Sequence, residues 1–300
     1  MTDHPETDHS EASLGPQRAN CVHSEFAPTL LQLPDIFSIV TLLACCALLG
    51  SLAGFLGGLL GIGGGVVMVP GLIALFDVLG LFPGTSTLFA LGTSLLVVVF
   101  TSLSAALSQI RAGKVYWELV KGWAPWVVIG GFAAPWIAAE LPLPVLRGFI
   151  GLFLLAVAAI MLANWQPAPG RTPPGGLGNA LLGTAAGTVS GLAGIGGGNL
   201  IVPTLVYHNV PVHNATASSS TLGVPLAAAG TLGYALQGPI SATQIGVIYL
   251  PAALALLITA AAMAPVGVRL AHKTDPAQLK RWFGALLCLV AGRMLYSALI

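Results

Sequence analysis

The sequence predicts an all-α polytopic membrane protein. It consists of two homologous repeats of about four segments each, with glycine-broken or re-entrant helices and inverted topology. Three observations carry this. First, only 7% of the 300 residues are charged and 56% are hydrophobic, with mean hydropathy +0.89, whereas a soluble chain is roughly 25% charged. Second, the charges are segregated: seven of the 21 Asp, Glu, Lys and Arg residues lie in the first 35 positions, and the 97 residues from 172 to 268 contain none. A bilayer-crossing helix needs about 20 mainly apolar residues, so that stretch alone holds several. Third, the chain repeats itself.

The run Gly54-Phe-Leu-Gly57-Gly58-Leu-Leu-Gly61-Ile-Gly63-Gly64-Gly65, ending at Val69-Pro70, recurs 133 positions later as Gly187, Gly191, Gly194-Ile-Gly196-Gly197-Gly198 and Val202-Pro203. The same offset pairs Leu146-Arg147 with Leu279-Lys280, and Gly151 with Gly284. Between them Gly92-Thr93-Ser94 matches Ala217-Ser218-Ser219 at an offset of 125, so the first copy carries an eight-residue insertion near 81–89. A fixed internal period of this kind marks a duplicated architecture. The expected organisation is a polar, acidic, disordered tail over 1–35, a first transmembrane repeat over 36–163, a linker over 164–176 rich in Pro and Gly, and a second transmembrane repeat over 177–300.

Each element follows from hydropathy. The first half offers segments at 36–60, 66–79, 86–109, 120–139 and 144–163; the second offers 177–193, 199–207, 214–236, 243–268 and 279–299. The arm at 199–207 covers only about 14 Å at about 1.5 Å per residue, too short to cross alone. Either one helix is broken at the glycines, or two arms form a re-entrant hairpin. Basic residues favour cytoplasmic loops. A hairpin gives each half an odd number of crossings and puts Arg111, Lys114, Lys121, Arg171, Arg269, Lys273, Lys280 and Arg281 on one side, with Arg147 the main exception. The hairpin with inverted repeats and external termini is therefore preferred.

Several function classes are excluded. A net charge of +1 without a basic patch gives no footprint for nucleic acid. Cys21, Cys45, Cys46 and Cys288 have no metal or disulfide spacing, and His4, His9 and His23 are scattered through the tail. No phosphate loop is present, and Ser190-Gly191 with His208 or His213 is a loose imitation of a protease dyad. No enzyme activity, cofactor or metal is expected.

A Gly-Ile-Gly-Gly-Gly run inside a membrane frees backbone N–H groups at a helix start, where the dipole favours anions. Non-helical backbone at that depth survives only when buried in protein or lining a cavity, and paired discontinuous helices mark transporter sites. The candidate solute-binding residues are Gly61, Gly63, Gly64 and Gly65 with Gly194, Gly196, Gly197 and Gly198. They are joined by Asn199 and by hydroxyls at Thr93, Ser94, Ser218 and Ser219, which donate without fixed charge. Gly50, Gly54 and Gly58, like Gly183, Gly187 and Gly191, fit close helix packing instead. Asp77, Glu118 and Glu140 fall near segment ends, Arg293 lies inside the last segment within reach of the interface, and the six tryptophans mostly suit interfacial belts.

The doubled signature Gly57-Gly58-Leu-Leu-Gly61-Ile-Gly63-Gly64-Gly65-Val66-Val67-Met68-Val69-Pro70, then Gly92-Thr93-Ser94-Leu95, with its copy from Gly191 to Pro203, resembles the TauE/SafE sulfite exporter family. Arg111-Ala-Gly113-Lys114-Val115-Tyr116-Trp117 is similar to that family's basic loop. The likeness covers 36–299, with departures at Gln109, where many members carry histidine, and at Ala217-Ser218-Ser219. It implies four-plus-four segments and membrane passage of small anions, often sulfur-containing, such as sulfite or sulfonates. The resulting expectation is a secondary transporter of a small anion in the cytoplasmic membrane, working by alternating access. A passive anion channel is the alternative, and a membrane scaffold or enzyme without flux comes third. The partners are the anionic solute and the lipid bilayer, with a homo-oligomer left open.

Overall fold

The computed structural model describes residues 36–60, 64–163, 175–271 and 276–299. The expectations for the tail, for the linker at 164–174, and for Gly61, Gly63, Arg171 and Lys273 therefore lie outside the described residues. Residues from Ile36 onward form one compact unit.

Ten helices follow one another among the described residues: α1 (Ile36–Leu60), α2 (Gly65–Val78), α3 (Ser86–Arg111), α4 (Trp117–Glu140), α5 (Leu143–Leu162), α6 (Gly176–Leu192), α7 (Gly198–Tyr207), α8 (Val212–Ala235), α9 (Leu250–Ala271) and α10 (Pro276–Leu299). Six of them, α1, α3, α4, α5, α9 and α10, are long and apolar enough to cross a membrane. The protein is an all-α polytopic membrane protein, as its hydropathy predicts. One small addition was not expected. Between α8 and α9 the chain forms an antiparallel pair, β1 (Gln244–Ile245) and β2 (Ile248–Tyr249), so α9 starts at Leu250 rather than at 243. The alternation of Gln244, Ile245, Ile248 and Tyr249 with a left-handed Gly246 (φ +58°) is hairpin chemistry that a hydropathy window absorbs into the next span.

Helix directions can be read from the glycines. A Cβ on Gly64 would meet Ala53, and one on Gly71 would meet Leu49. Numbers thus fall along α1 as they rise along α2, and α2 folds back on α1. With 14 residues, α2 is about 21 Å long, short of a hydrocarbon core of about 30 Å. The chain therefore reverses at the glycines rather than continuing as one broken helix, although α1, at 25 residues, is a full-length arm and not the short one expected of a re-entrant hairpin. Val66, Met68, Val69, Leu72, Ile73 and Phe76 are all at most 2% exposed, which is how a helix apolar on every side must sit.

The packing between halves is reciprocal. Gly50 and Gly54 bring α1 parallel to α9 against Leu256 and Ala260. Gly183, Gly187 and Gly191 bring α6 parallel to α4 against Trp126, Val127 and Ala134. These glycines act in close helix approach, as their spacing suggests. Helix α3 runs antiparallel to α8 (Leu95 on Gly230, Ser102 on Gly223), and α5 runs antiparallel to α10 (Gly151 on Leu295, Leu162 on Gly284). These directions place Arg111, Lys114, Lys121, Arg269 and Arg281 toward one end. Arg147 lies at the other, where Nη2 contacts both Asp77 carboxylate oxygens at 2.9 Å, and its N–H groups also donate to Ser86, Thr87 and Ser297. Trp117, Trp126, Trp136 and Trp282 are exposed, as belt residues should be, but Trp123 is 1% exposed and donates through Nε1 to Asn179. Its ring fills the α4–α6 seam.

Candidate functional site

The glycine breaks of the two halves meet. A Cβ on Gly65 would sit 3.3 Å from Ile195 Cα and 3.5 Å from the Gly194 carbonyl oxygen. Val98, at the midpoint of α3, touches both breaks, with one γ-methyl on Gly65 and the other on Gly196. Gly194 has φ +67° and is walled by Leu91 and Val69, so any side chain there is both strained and obstructed. Its carbonyl accepts a 3.0 Å hydrogen bond from buried Ser94 Oγ. Gly64 caps α2, its carbonyl accepting from Val67 and Met68 at 3.2 Å. Gly197 caps α7, accepting from Leu200 at 3.2 Å and Ile201 at 2.8 Å, while Gly198 opens the helix.

Neither helix start has a side-chain cap. The third N–H of each first turn, Val67 and Leu200, is taken by the capping glycine carbonyl and Gly198 donates to Gly196, which leaves the N–H groups of Gly65, Val66 and Asn199 as the donors at the two starts. α2 leaves this junction toward the Arg147 end. α7 leaves it in the opposite sense, because the tight turn at 208–211 sends it antiparallel to α8. Two positive dipole ends therefore converge on mid-α3, each equivalent to roughly half an elementary charge. Among the described residues no acidic side chain adjoins them, and no three His, Cys, Asp or Glu residues cluster. Asn199, one residue into α7, is 8% exposed and its Nδ2 has no hydrogen-bond partner.

The predicted hydroxyls separate. Ser94 belongs to the junction. From the α3–α8 register Ser94 is level with Thr231, and Ser219 lies roughly 18 Å along α8 from that level but only one helical turn, about 6 Å, from Gly223, which faces Ser102. Ser219 Oγ is buried and without a partner. Thr93 and Ser218 hold equivalent positions at opposite ends of the molecule. Thr93 Oγ1 accepts the Tyr249 N–H at 3.0 Å, and Ser218 Oγ accepts the Tyr116 N–H at 3.0 Å. Each ties the entry of the other half's fourth helix to the α3–α8 pair. Burial, with a smaller effect from the Cys46 thiol, pushes the Tyr249 phenol above its ordinary range and keeps it neutral.

Sequence reasoning missed Ser102. Its Oγ lies 3.1 Å from the Cβ position of Gly196 and 3.2 Å from that of Gly223. The signal was present, because Ser94, Val98 and Ser102 recur every four residues and share a face of α3. His208 caps the surface turn after α7, its Nδ1 2.8 Å from the Thr204 carbonyl oxygen, while Arg293, Glu118 and Glu140 are exposed.

Residues 46–294 match the family described as Sulfite exporter TauE/SafE. The chain belongs to the TauE/SafE sulfite exporter family. Among curated relatives, a probable membrane transporter protein of Haemophilus influenzae is 30% identical over 85% of this chain and 98% of its own length. A probable membrane transporter protein of Methanocaldococcus jannaschii is 29% identical over 84% of this chain and 94% of its own. A third, YdhB of Bacillus subtilis, also a probable membrane transporter protein, is 29% identical over half of this chain and 64% of its own. Family membership, these relatives and the six candidate spans make this a multi-pass membrane transporter.

Proposed function

We propose that the protein is a secondary transporter of a small anion of the sulfur oxyanion or organosulfonate class. It works by alternating access in the cytoplasmic membrane, with the basic ends of the helices inward and both termini outward. The observation that carries this reading is the convergence of two half-helix N-termini without side-chain caps at Val98, with the Ser102 hydroxyl at Gly196 and the unpartnered Asn199 Nδ2 in the first turn of α7. Fixed peptide dipoles and neutral donors bind an anion without a buried counter-charge, whose desolvation would be costly. The family description adds sulfite as the first solute to try.

Purified protein in lipid vesicles should take up sulfite, or a small sulfonate, with saturable kinetics. Ser102→Ala should raise KM about tenfold, as expected for one hydrogen bond to a charged group worth about 1.5 kcal/mol. Asn199→Asp, which sets a negative charge at the junction, should reduce uptake at least about tenfold by like-charge repulsion. Unchanged uptake in both variants, or flux that never saturates, would falsify the carrier assignment; the second result describes a passive channel.

A further inference from the structure

Helix α8 carries a row of polar atoms with no structural explanation. Thr231 Oγ1, Tyr234 Oη and both amide atoms of Gln237 are buried and have no hydrogen-bond partner. Thr231 and Tyr234 are three residues apart on one helix face. The Gln237 N–H continues the turn by donating to the Tyr234 carbonyl at 3.3 Å, which extends the row by another three residues. Because both Gln237 amide atoms lack partners, exchanging its oxygen and nitrogen satisfies neither. Buried polar groups are almost always paired, and exceptions call for an occupant. Tyr234 is 0% exposed and packs against Gly92, with the hairpin lying over the same end of α8: Val247 N–H donates to the Tyr234 carbonyl at 3.2 Å. At its inner end the row is level with Ser94 and the Gly194 junction. The repeat-equivalent positions in α3 are Ala106, Gln109 and Ala112, so the row exists in one half only.

We propose that Thr231, Tyr234 and Gln237 line a second subsite for the hydrated anion, a polar lane leading from the Arg147 end of the molecule to the glycine junction. Two hydroxyls and an amide N–H donate to the anion's oxygens, and Gln237 Oε1 accepts from the water that travels with it. The lane rests on the anion reading given above, but its labelling test does not depend on transport.

Thr231→Cys and Gln237→Cys, each in a variant with Cys21, Cys45, Cys46 and Cys288 replaced by alanine, are exposed in vesicles to a membrane-impermeant anionic methanethiosulfonate. A cationic reagent of similar size is the comparison. Leu232→Cys and Leu236→Cys serve as controls: both leucines are more than half exposed (55% and 57%), outside the proposed lane, on a face that the membrane reading sets against lipid. Thiolates form only where water reaches. The buried pair should therefore react, at least tenfold faster with the anion than with the cation, while the exposed pair stays inert. Tyr234→Phe should raise the KM for sulfite several-fold. The lane is overturned if the buried pair is unreactive, if the exposed pair reacts as fast, or if both reagents react equally. Loss of labelling with intact effects of Ser102→Ala and Asn199→Asp removes the lane alone. Labelling with no effect of those two removes the central site instead.

Discussion

At Arg147 one planar fork of N–H groups meets Asp77, Ser86, Thr87 and Ser297, drawing together α2, α3, α5 and α10. Its side chain is 11% exposed and that of Asp77 is 37% exposed, so the pair is sheltered more on the arginine side. Arg147→Leu removes the donor to three hydroxyls and the cation facing Asp77, whose Oδ1 keeps the Ser86 hydroxyl at 2.7 Å. Arg147→Lys keeps the charge but not the fork. Both should melt at lower temperature than the parent in detergent, with lysine intermediate; equal melting points for all three would show that the cluster contributes nothing. In the sequence Arg147 stood out only as a basic residue on the wrong side. Its partners come from three distant segments, and no local pattern joins them. Gly194 and Ser94 were legible because they belong to matching glycine and hydroxyl clusters in the two halves, whereas Ser102 is one of several hydroxyls in Thr101-Ser102-Leu103-Ser104 and acquires meaning only when Gly196 is brought to it.

Among the elements, hydropathy located every helix end to within three residues except the start of α9, which lies seven residues later, but could not decide how the short arms run. A ten-residue arm is compatible with a break or a reversal, and the choice depends on which helix it packs against. The packing glycines were legible from their four-residue spacing, though not their partners. Gly54 lies against the Ala260 backbone and Gly187 against the Val127 backbone, while Gly292 has open space around it. Gly54→Leu and Gly187→Leu should therefore sharply lower the yield of monodisperse protein, and Gly292→Leu should leave it unchanged. Equal yields from all three in size-exclusion chromatography would show that these seams tolerate separation. The β1–β2 hairpin was illegible because Ile245, Val247 and Ile248 are as apolar as the helix that follows them.

For the molecule as a whole, the matched ties Thr93–Tyr249 and Ser218–Tyr116 sit at opposite ends of the α3–α8 pair and are both formed in this structure. If the halves rock about that pair, each tie restrains opening at its own end. Thr93→Val should favour opening at the Arg147 end and Ser218→Ala opening at the basic end. Distances between spin labels placed across each end should show opposite shifts; shifts in the same direction, or none, would make the ties ordinary packing contacts. The duplicated sequence anticipated such a pairing of positions, but not that these two hydroxyls would accept backbone N–H groups.

The half-helices α2 and α7 also bear on acidity. A centre whose attraction comes from peptide dipoles and uncharged amide and hydroxyl groups has no proton to gain or lose across the range in which cells live. If the centre binds the anion proposed above, pH dependence of binding there enters through the cargo, which changes its own charge as it takes up or releases a proton, and the centre discriminates between those forms without titrating.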